Sequence, residues 1–206
     1  MSWRGELREQ RRERILEAAV AVIARRGYQR ATMKEIAAEA DIAPGTIYLY
    51  FANKRDLLLA IADHLLTAGI DRQLEEMTDL DEVEVLRRLL QQRFAFARAN
   101  EEFIRALFTA VWSDAEVRSR FFSGIIAPLL AVLENYLQQR VEQGKLRPCQ
   151  PQVVVPAIAG SFVFFGILRS LAPPAVFPAL PEEDVVAGLV DLYVLGLKPR
   201  AEEEGV

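Results

Sequence analysis

The stretch from Thr32 to Leu57, TMKEIAAEADIAPGTIYLYFANKRDL, gathers the residues of this sequence that have a chemistry to offer. That chemistry is recognition rather than bond-making. The chain shows no nucleophile–base pair and no phosphate loop, and its one histidine, His64, lies downstream of the stretch. Two short helical patterns flank Glu39-Ala40-Asp41-Ile42-Ala43. Ala37, Ala38 and Ala40 are small enough to let two helices cross closely, and Ile42 plugs the angle between them, which is the pattern of a helix-turn-helix. The second helix begins with Pro44, Gly45 and Thr46. A short helix that starts with small and hydroxyl residues can enter the ~12 Å wide major groove of DNA end-on.

The elements that must position this stretch read as helix throughout. Ile15, Leu16, Ala19, Val22 and Ile23 recur at helical spacing behind the Arg/Glu-rich run Arg8 to Arg14, and Gly27 ends that helix. Thr32 and Glu35 form a capping box for a short helix with Ile36, Ala37 and Ala40 on its inner face. Pro44 suits the first position of the next helix, which should run to about Tyr50. Asn53 caps a longer helix, expected to continue unbroken to about Met77. Asp81 starts one reaching about Ala99, and Asn100 caps another ending near Trp112. An amphipathic pattern holds from Asp114 to Gln143 and stops at Gly144. Two further helices are expected over 151–170 and 182–197, joined by the loop 172–178. The fold class is all-α, with no strand pattern and no internal repeat.

Composition narrows the function classes. Single Cys149 and single His64 exclude a disulfide framework and argue against a zinc site, and no metal or cofactor is expected. One thiol fits a reducing cytoplasm. The longest uncharged apolar run, Val153 to Leu168, is interrupted by Pro156, Gly160 and Gly166 and falls short of the roughly 20 residues of a membrane span, so no membrane partner is expected. The net charge of −4 is divided unevenly: residues 1–55 hold 11 Lys+Arg against 7 Asp+Glu, a net of +4, and the remainder holds 14 against 22, a net of −8. A basic head on an acidic body docks one end onto phosphates and repels the other.

Gly27-Tyr28, Thr32, Ile36-Ala37, Ala40, Ile42, Gly45-Thr46, Tyr48, Phe51, Lys54 and Leu57 together resemble the TetR family of bacterial regulators. The resemblance implies a three-helix DNA-binding domain over residues 1–55 and a ligand-binding and dimerisation domain over 56–206. It implies roles for individual residues. Thr32 holds a phosphate at a helix start, Gly45 lets the backbone approach DNA, and Thr46 faces backbone or base. Tyr48, Tyr50 and Lys54 contact phosphates. Phe51 locks the recognition helix onto the core. Ala43 and Leu49 depart from the pattern, where many relatives carry a serine and a tyrosine or histidine. Ala43, beside Pro44, removes one polar contact, and Leu49 offers an apolar surface to a thymine methyl. The run Arg4 to Arg14 reads either as an arm along flanking phosphates or as a solvated helix face.

For the body, the resemblance implies a small inducer bound among the middle helices and a homodimer built on the last two. Aromatic residues concentrate there, and Phe94, Phe108, Trp112, Phe121, Phe122, Phe162 and Phe165 are the candidate ligand wall, although any one of them taken singly reads as core packing before it reads as ligand wall. They suit an apolar, aromatic or acyl-type ligand, with Arg93, Arg98 and Arg105 as candidates for an anionic part. The Val153–Leu168 run, apolar around its circumference, needs cover on every face. The expected protein is a ligand-responsive repressor on a palindromic operator, not an enzyme. The alternative is a constitutive or architectural DNA-binding protein without inducer, which the acidic body disfavours.

Overall fold

The computed structural model describes residues 3–67, 69–171 and 180–197. The loop expected at 172–178 lies outside the described residues. Ten α-helices appear among them: α1 Trp3–Arg26, α2 Met33–Glu39, α3 Lys54–Thr67, α4 Ile70–Glu76, α5 Glu82–Ala99, α6 Glu101–Ser113, α7 Ala115–Phe121, α8 Ala127–Glu142, α9 Pro151–Leu171 and α10 Glu182–Leu197. No strand occurs among the described residues. They fall into two compact units that do not follow the linear order of the chain, one from 1–68 with 99–128 and the other from 69–98 with 129–206.

In the first unit, α1 buries Ile15, Leu16, Ala19, Val22 and Ile23 against Ile36, Ala37 and Ala40 of α2 and Leu57, Leu58 and Ile61 of α3. The same core takes in Phe103, Leu107 and Val111 of α6, Val117 and Phe121 of α7, and Ile125. Gly27, at φ +73°, ends α1 in the left-handed region where a side chain would be strained. The capping box is present: the Glu35 N–H donates to Thr32 Oγ1 at 3.2 Å, and the Thr32 N–H donates to Glu35 Oε2 at 3.0 Å.

The turn after α2 closes by a Schellman pattern, with Ile42 N–H on Ala37 O at 2.9 Å and Asp41 N–H on Ala38 O at 3.2 Å. Asp41 holds the left-handed position at φ +56°, the one non-glycine residue with positive φ among those described. An aspartate tolerates this conformation better than most residues and a glycine better still. Asp41→Gly is therefore expected to raise stability by about 0.5–1 kcal/mol, read as a higher thermal midpoint.

Two sequence expectations give way here. The recognition element is not an α-helix from Pro44 to Tyr50. Pro44 and Gly45 form a turn, closed by Thr46 N–H on Ala43 O at 2.8 Å, and Thr46–Leu49 is a single 3-10 helix. The helix expected from Asn53 to about Met77 is also interrupted. It stops at Thr67, and Gly69, at φ +74°, starts α4. Left-handed backbone cannot continue a right-handed helix, so α3 and α4 are separate helices. A third feature carried no sequence signal: a π-helical turn, Phe122–Ile126, separates α7 from α8.

The second unit has two clusters. Leu90 and Phe94 of α5 pack with Val185, Val186, Leu189, Val190 and Val194 of α10, flanked by Phe162, Phe165 and Tyr193. Leu137, Leu146, Val155 and Leu197 form the other. Arg140 is buried at 2% exposure, donating to Tyr136 Oη at 3.0 Å, Gln143 Oε1 at 3.3 Å and Thr78 O at 2.9 Å, with Glu82 Oε1 3.6 Å away. It ties α8 to the end of α4 and the start of α5. Arg147 satisfies the C-terminus of α10, its backbone N–H on Leu197 O at 2.9 Å and its guanidinium on Gly196 O. Ala115–Glu142 is long and apolar enough to cross a membrane by length and composition alone. Along it Val117, Phe121, Ile125, Leu137 and Arg140 are buried in protein.

Candidate nucleic-acid interface

Alternation within the recognition turn decides what faces outward. Ile47 and Phe51 are buried in the first unit's core and anchor the turn from below. Between them Tyr48 stands 55% exposed and Leu49 75% exposed, large side chains with nothing of this chain over them. Thr46 and Tyr50 are half-buried, Tyr50 packed against the core, while Ala43, Pro44 and Gly45 are exposed. A Cβ placed on Gly45 would meet no atom within 4 Å, so the space beside it is free for something outside the chain.

Lys54, the first residue of α3, is held on two sides. Its ammonium lies 4.3 Å from the centre of the Tyr28 ring and donates to Gln29 O at 3.2 Å, and the Tyr28 hydroxyl donates to Lys54 O at 3.4 Å. Partial burial lowers the Lys54 pKa, and the Glu35 carboxylate partly offsets this. Hydrogen bonds from Thr32 hold Glu35 itself below the usual carboxylate range, with Arg26 and Lys54 adding to the effect. The Thr32 hydroxyl is engaged within the cap, donating to Glu35 Oε2 at 3.0 Å.

The next two residues stake the start of α3 onto α7. Arg55 pairs with Asp114 at 2.9 Å and Asp56 with Arg120 at 2.5 Å. Asp114 also caps α7, accepting from Glu116 N–H and Val117 N–H, and these bonds keep its pKa low. Asp56 N–H is capped by Asn53 Oδ1 at 2.9 Å, as its place in the sequence predicts. Lys54 is thus positioned by α6 and α7 as well as by its own helix. Sequence reading missed this contribution, because no motif links residues 55–56 to 114–120.

The arrangement suits a duplex. A turn with an open glycine, a hydroxyl, a tyrosine and a leucine projects from a scaffold that holds Lys54 at the start of α3 and Arg12 over the Phe51 ring. Such a helix-turn-helix defines a DNA-binding protein. Residues 15–61 match the family described as "Bacterial regulatory proteins, tetR family". The fatty acid metabolism regulator protein of Bacillus subtilis (strain 168) is 29% identical over 137 residues, 65% of this chain and 69% of that protein. Among solved structures, Thermus thermophilus FadR in complex with lauroyl-CoA aligns at TM-score 0.68 and 25% identity, over 95% of this chain and 99% of that one. Bacillus subtilis FadR in complex with stearoyl-CoA aligns at TM-score 0.65 and 25% identity, over 86% and 97%. This chain belongs to the TetR family of bacterial helix-turn-helix transcriptional regulators.

The seven aromatic residues read as a ligand wall are shared between the two units. Phe94 and Phe162 meet edge to face at 4.8 Å, with Phe165 beside them, in the second unit. Phe121 and Phe122 meet at 5.5 Å in the first, Phe121 buried and Phe122 51% exposed. Phe108 is half-buried, and Trp112 is 75% exposed on α6. Of the arginines, Arg98 pairs with Glu182 at 2.8 Å and Arg105 with Glu101 at 2.9 Å, while burial lowers the pKa of Arg93. On the last two helices Val153, Val163, Phe164 and Leu192 are exposed, whereas Val185, Val186 and Leu189 are already used within the protomer.

Proposed function

We propose that this chain is a ligand-responsive repressor that binds a palindromic operator as a homodimer and is released by a long-chain acyl thioester. The observation that carries the DNA half is the outward presentation of Gly45, Tyr48 and Leu49 on a turn anchored by buried Ile47 and Phe51. Thr32, Ala43, Pro44, Thr46, Tyr50 and Lys54 complete the surface. Phosphate contacts from Tyr48 and Lys54 set the register, and Thr46 and Leu49 reach base edges. Residues 1–55 are the reading head and residues 56–206 the ligand-binding and dimerising part. The acyl half is supported by the two relatives solved with lauroyl-CoA and stearoyl-CoA. The edge-to-face pair Phe94–Phe162 supplies apolar lining of the right kind. The exposed Val153, Val163, Phe164 and Leu192 give α9 and α10 a face for the second copy.

The test starts from a duplex selected by the full-length protein out of a random-sequence pool. The wild type is expected to bind it selectively, and lauroyl-CoA or stearoyl-CoA, but not free coenzyme A, to release it. Linkage requires that the DNA-bound protein hold the thioester more weakly by the same factor. Lys54→Ala is expected to weaken binding to all duplexes alike and to flatten the log–log salt dependence by about one unit per protomer. No selective duplex, or an unchanged slope for Lys54→Ala, removes the DNA assignment. Selective binding indifferent to every acyl-CoA leaves the constitutive regulator as the better reading.

A further inference from the structure

The N-terminal end of α1 overhangs the unit it belongs to. Trp3 and residues 5–11 are exposed, and the first buried side chain of the helix is Ile15. At ~1.5 Å per residue the exposed part is about 13 Å long. Its charges are sorted by sign around the helix. Arg4, Arg8 and Arg11 follow the spacing i, i+4, i+7, and the next steps of that stripe are Ile15, Ala19 and Val22, the face α1 buries. Glu6, Glu9, Glu13 and Glu17 follow i, i+3, i+7, i+11 on the opposite side.

A helix stabilised for water alone places opposite charges three or four residues apart. Here the neighbours of Arg8 at that spacing are Arg4, Gly5, Arg11 and Arg12, and those of Glu9 include Glu6 and Glu13. One ion pair, Arg12 with Glu9 at 3.4 Å, crosses between the stripes. Arg8 and Arg11 make no ion pair or hydrogen bond among the described residues. Like charges side by side weaken a helix, and only an anionic surface on the arginine side turns that sorting into an advantage.

The root of the overhang says where that surface lies. The Arg12 guanidinium sits 5.7 Å from the centre of the Phe51 ring, and Arg14 donates to Ala40 O at 3.0 Å. Phe51 follows the recognition turn directly, and Ala40 is the C-cap of α2. The arginine stripe therefore leaves the unit beside the recognition turn, on the face of α1 that turns toward it.

We propose that the overhang of α1 is a second DNA-contacting element, which lays Arg8 and Arg11 along phosphates of the duplex flanking the recognition turn. The proposal rests on the DNA-binding reading above. These contacts add affinity and salt dependence but no base preference. The glutamate stripe faces away from the duplex.

The experiment uses the full-length protein and the selected duplex with about eight extra base pairs on each side. Arg8→Gln with Arg11→Gln is expected to reduce the slope of log affinity against log salt by about 1.8 per overhang engaged. The wild-type advantage over this variant then shrinks at least roughly tenfold between 50 and 200 mM salt. Arg8→Lys with Arg11→Lys restores the slope. Removing the eight-base-pair flanks altogether, and with them the roughly four base pairs on each side that the overhang would cover, abolishes the difference between wild type and variant. Glu6→Gln with Glu9→Gln, which changes net charge by the same amount on the other face, leaves the slope unchanged. An unaltered slope for the arginine variant beside a lowered slope for Lys54→Ala overturns the overhang and spares the DNA-binding reading. Equal and opposite shifts from the arginine and glutamate variants also overturn it, because they mark general attraction rather than contact. So does transfer of the arginine effect from DNA to vesicles of phosphatidylglycerol.

Discussion

Gly45→Glu is expected to reduce operator affinity by at least about a hundredfold while leaving the fold intact, a loss of roughly 3 kcal/mol. Gly45 has φ −72° and ψ −25°, a conformation open to any residue, and a Cβ there meets nothing within 4 Å. Nothing inside the molecule therefore resists the larger side chain, and stability should stay within about 0.5 kcal/mol of the wild type. A docked duplex has no such room. On the proposed docking, the substitution sets a carboxylate where the backbone approaches phosphates, and juxtaposed like charges cost several kcal/mol. Gly45→Ala, with bulk but no charge, should fall between the two. Fluorescence anisotropy and thermal unfolding measured on the same preparations separate the effects. Full affinity in Gly45→Glu would move the interface off this turn.

Arg140→Ala is expected to be the most destabilising single change outside the apolar cores, by about 3–5 kcal/mol. Arg140 donates to Tyr136, Gln143 and Thr78 and lies against the Glu82 carboxylate, almost wholly out of water. Its removal strands the Thr78 carbonyl and the half-buried Glu82 without a cation, which is what makes breaking one side of a buried pair so costly. On a chain of this size the thermal midpoint should fall by about 6–20 °C. Arg140→Met combined with Glu82→Gln should recover much of the loss, since removing both charges leaves no uncompensated ion. A midpoint within a few degrees of the wild type for Arg140→Ala would show that α4, α5 and α8 are held by other contacts.

What could be read from residues alone was what acts over a few residues. Gly27 and Gly144 end helices, and Thr32, Asn53, Asp81 and Asp114 begin them. Each cap bond closes between a side chain and a backbone group two or three positions away. The helix-turn-helix was legible for the same reason, being one contiguous stretch in which small, apolar and hydroxyl residues fall at fixed steps. The opposite stripes of arginine and glutamate on α1 are likewise written in the spacing.

Tertiary structure alone decided the rest. It tightened the recognition element to a 3-10 turn, with Ile47 and Phe51 both buried in one core. It broke the helix after Asn53 at a glycine that the apolar pattern runs straight through. It brought residues 114–120 against Arg55 and Asp56, and it drew one arginine of the long amphipathic stretch into the interior while leaving its neighbours in water. It placed Phe94, Phe162 and Phe165 in one cluster and Phe121 in another. Each of these depends on which distant surfaces pack together. Burial is a property of the assembled pair rather than of either segment, so no local pattern records it.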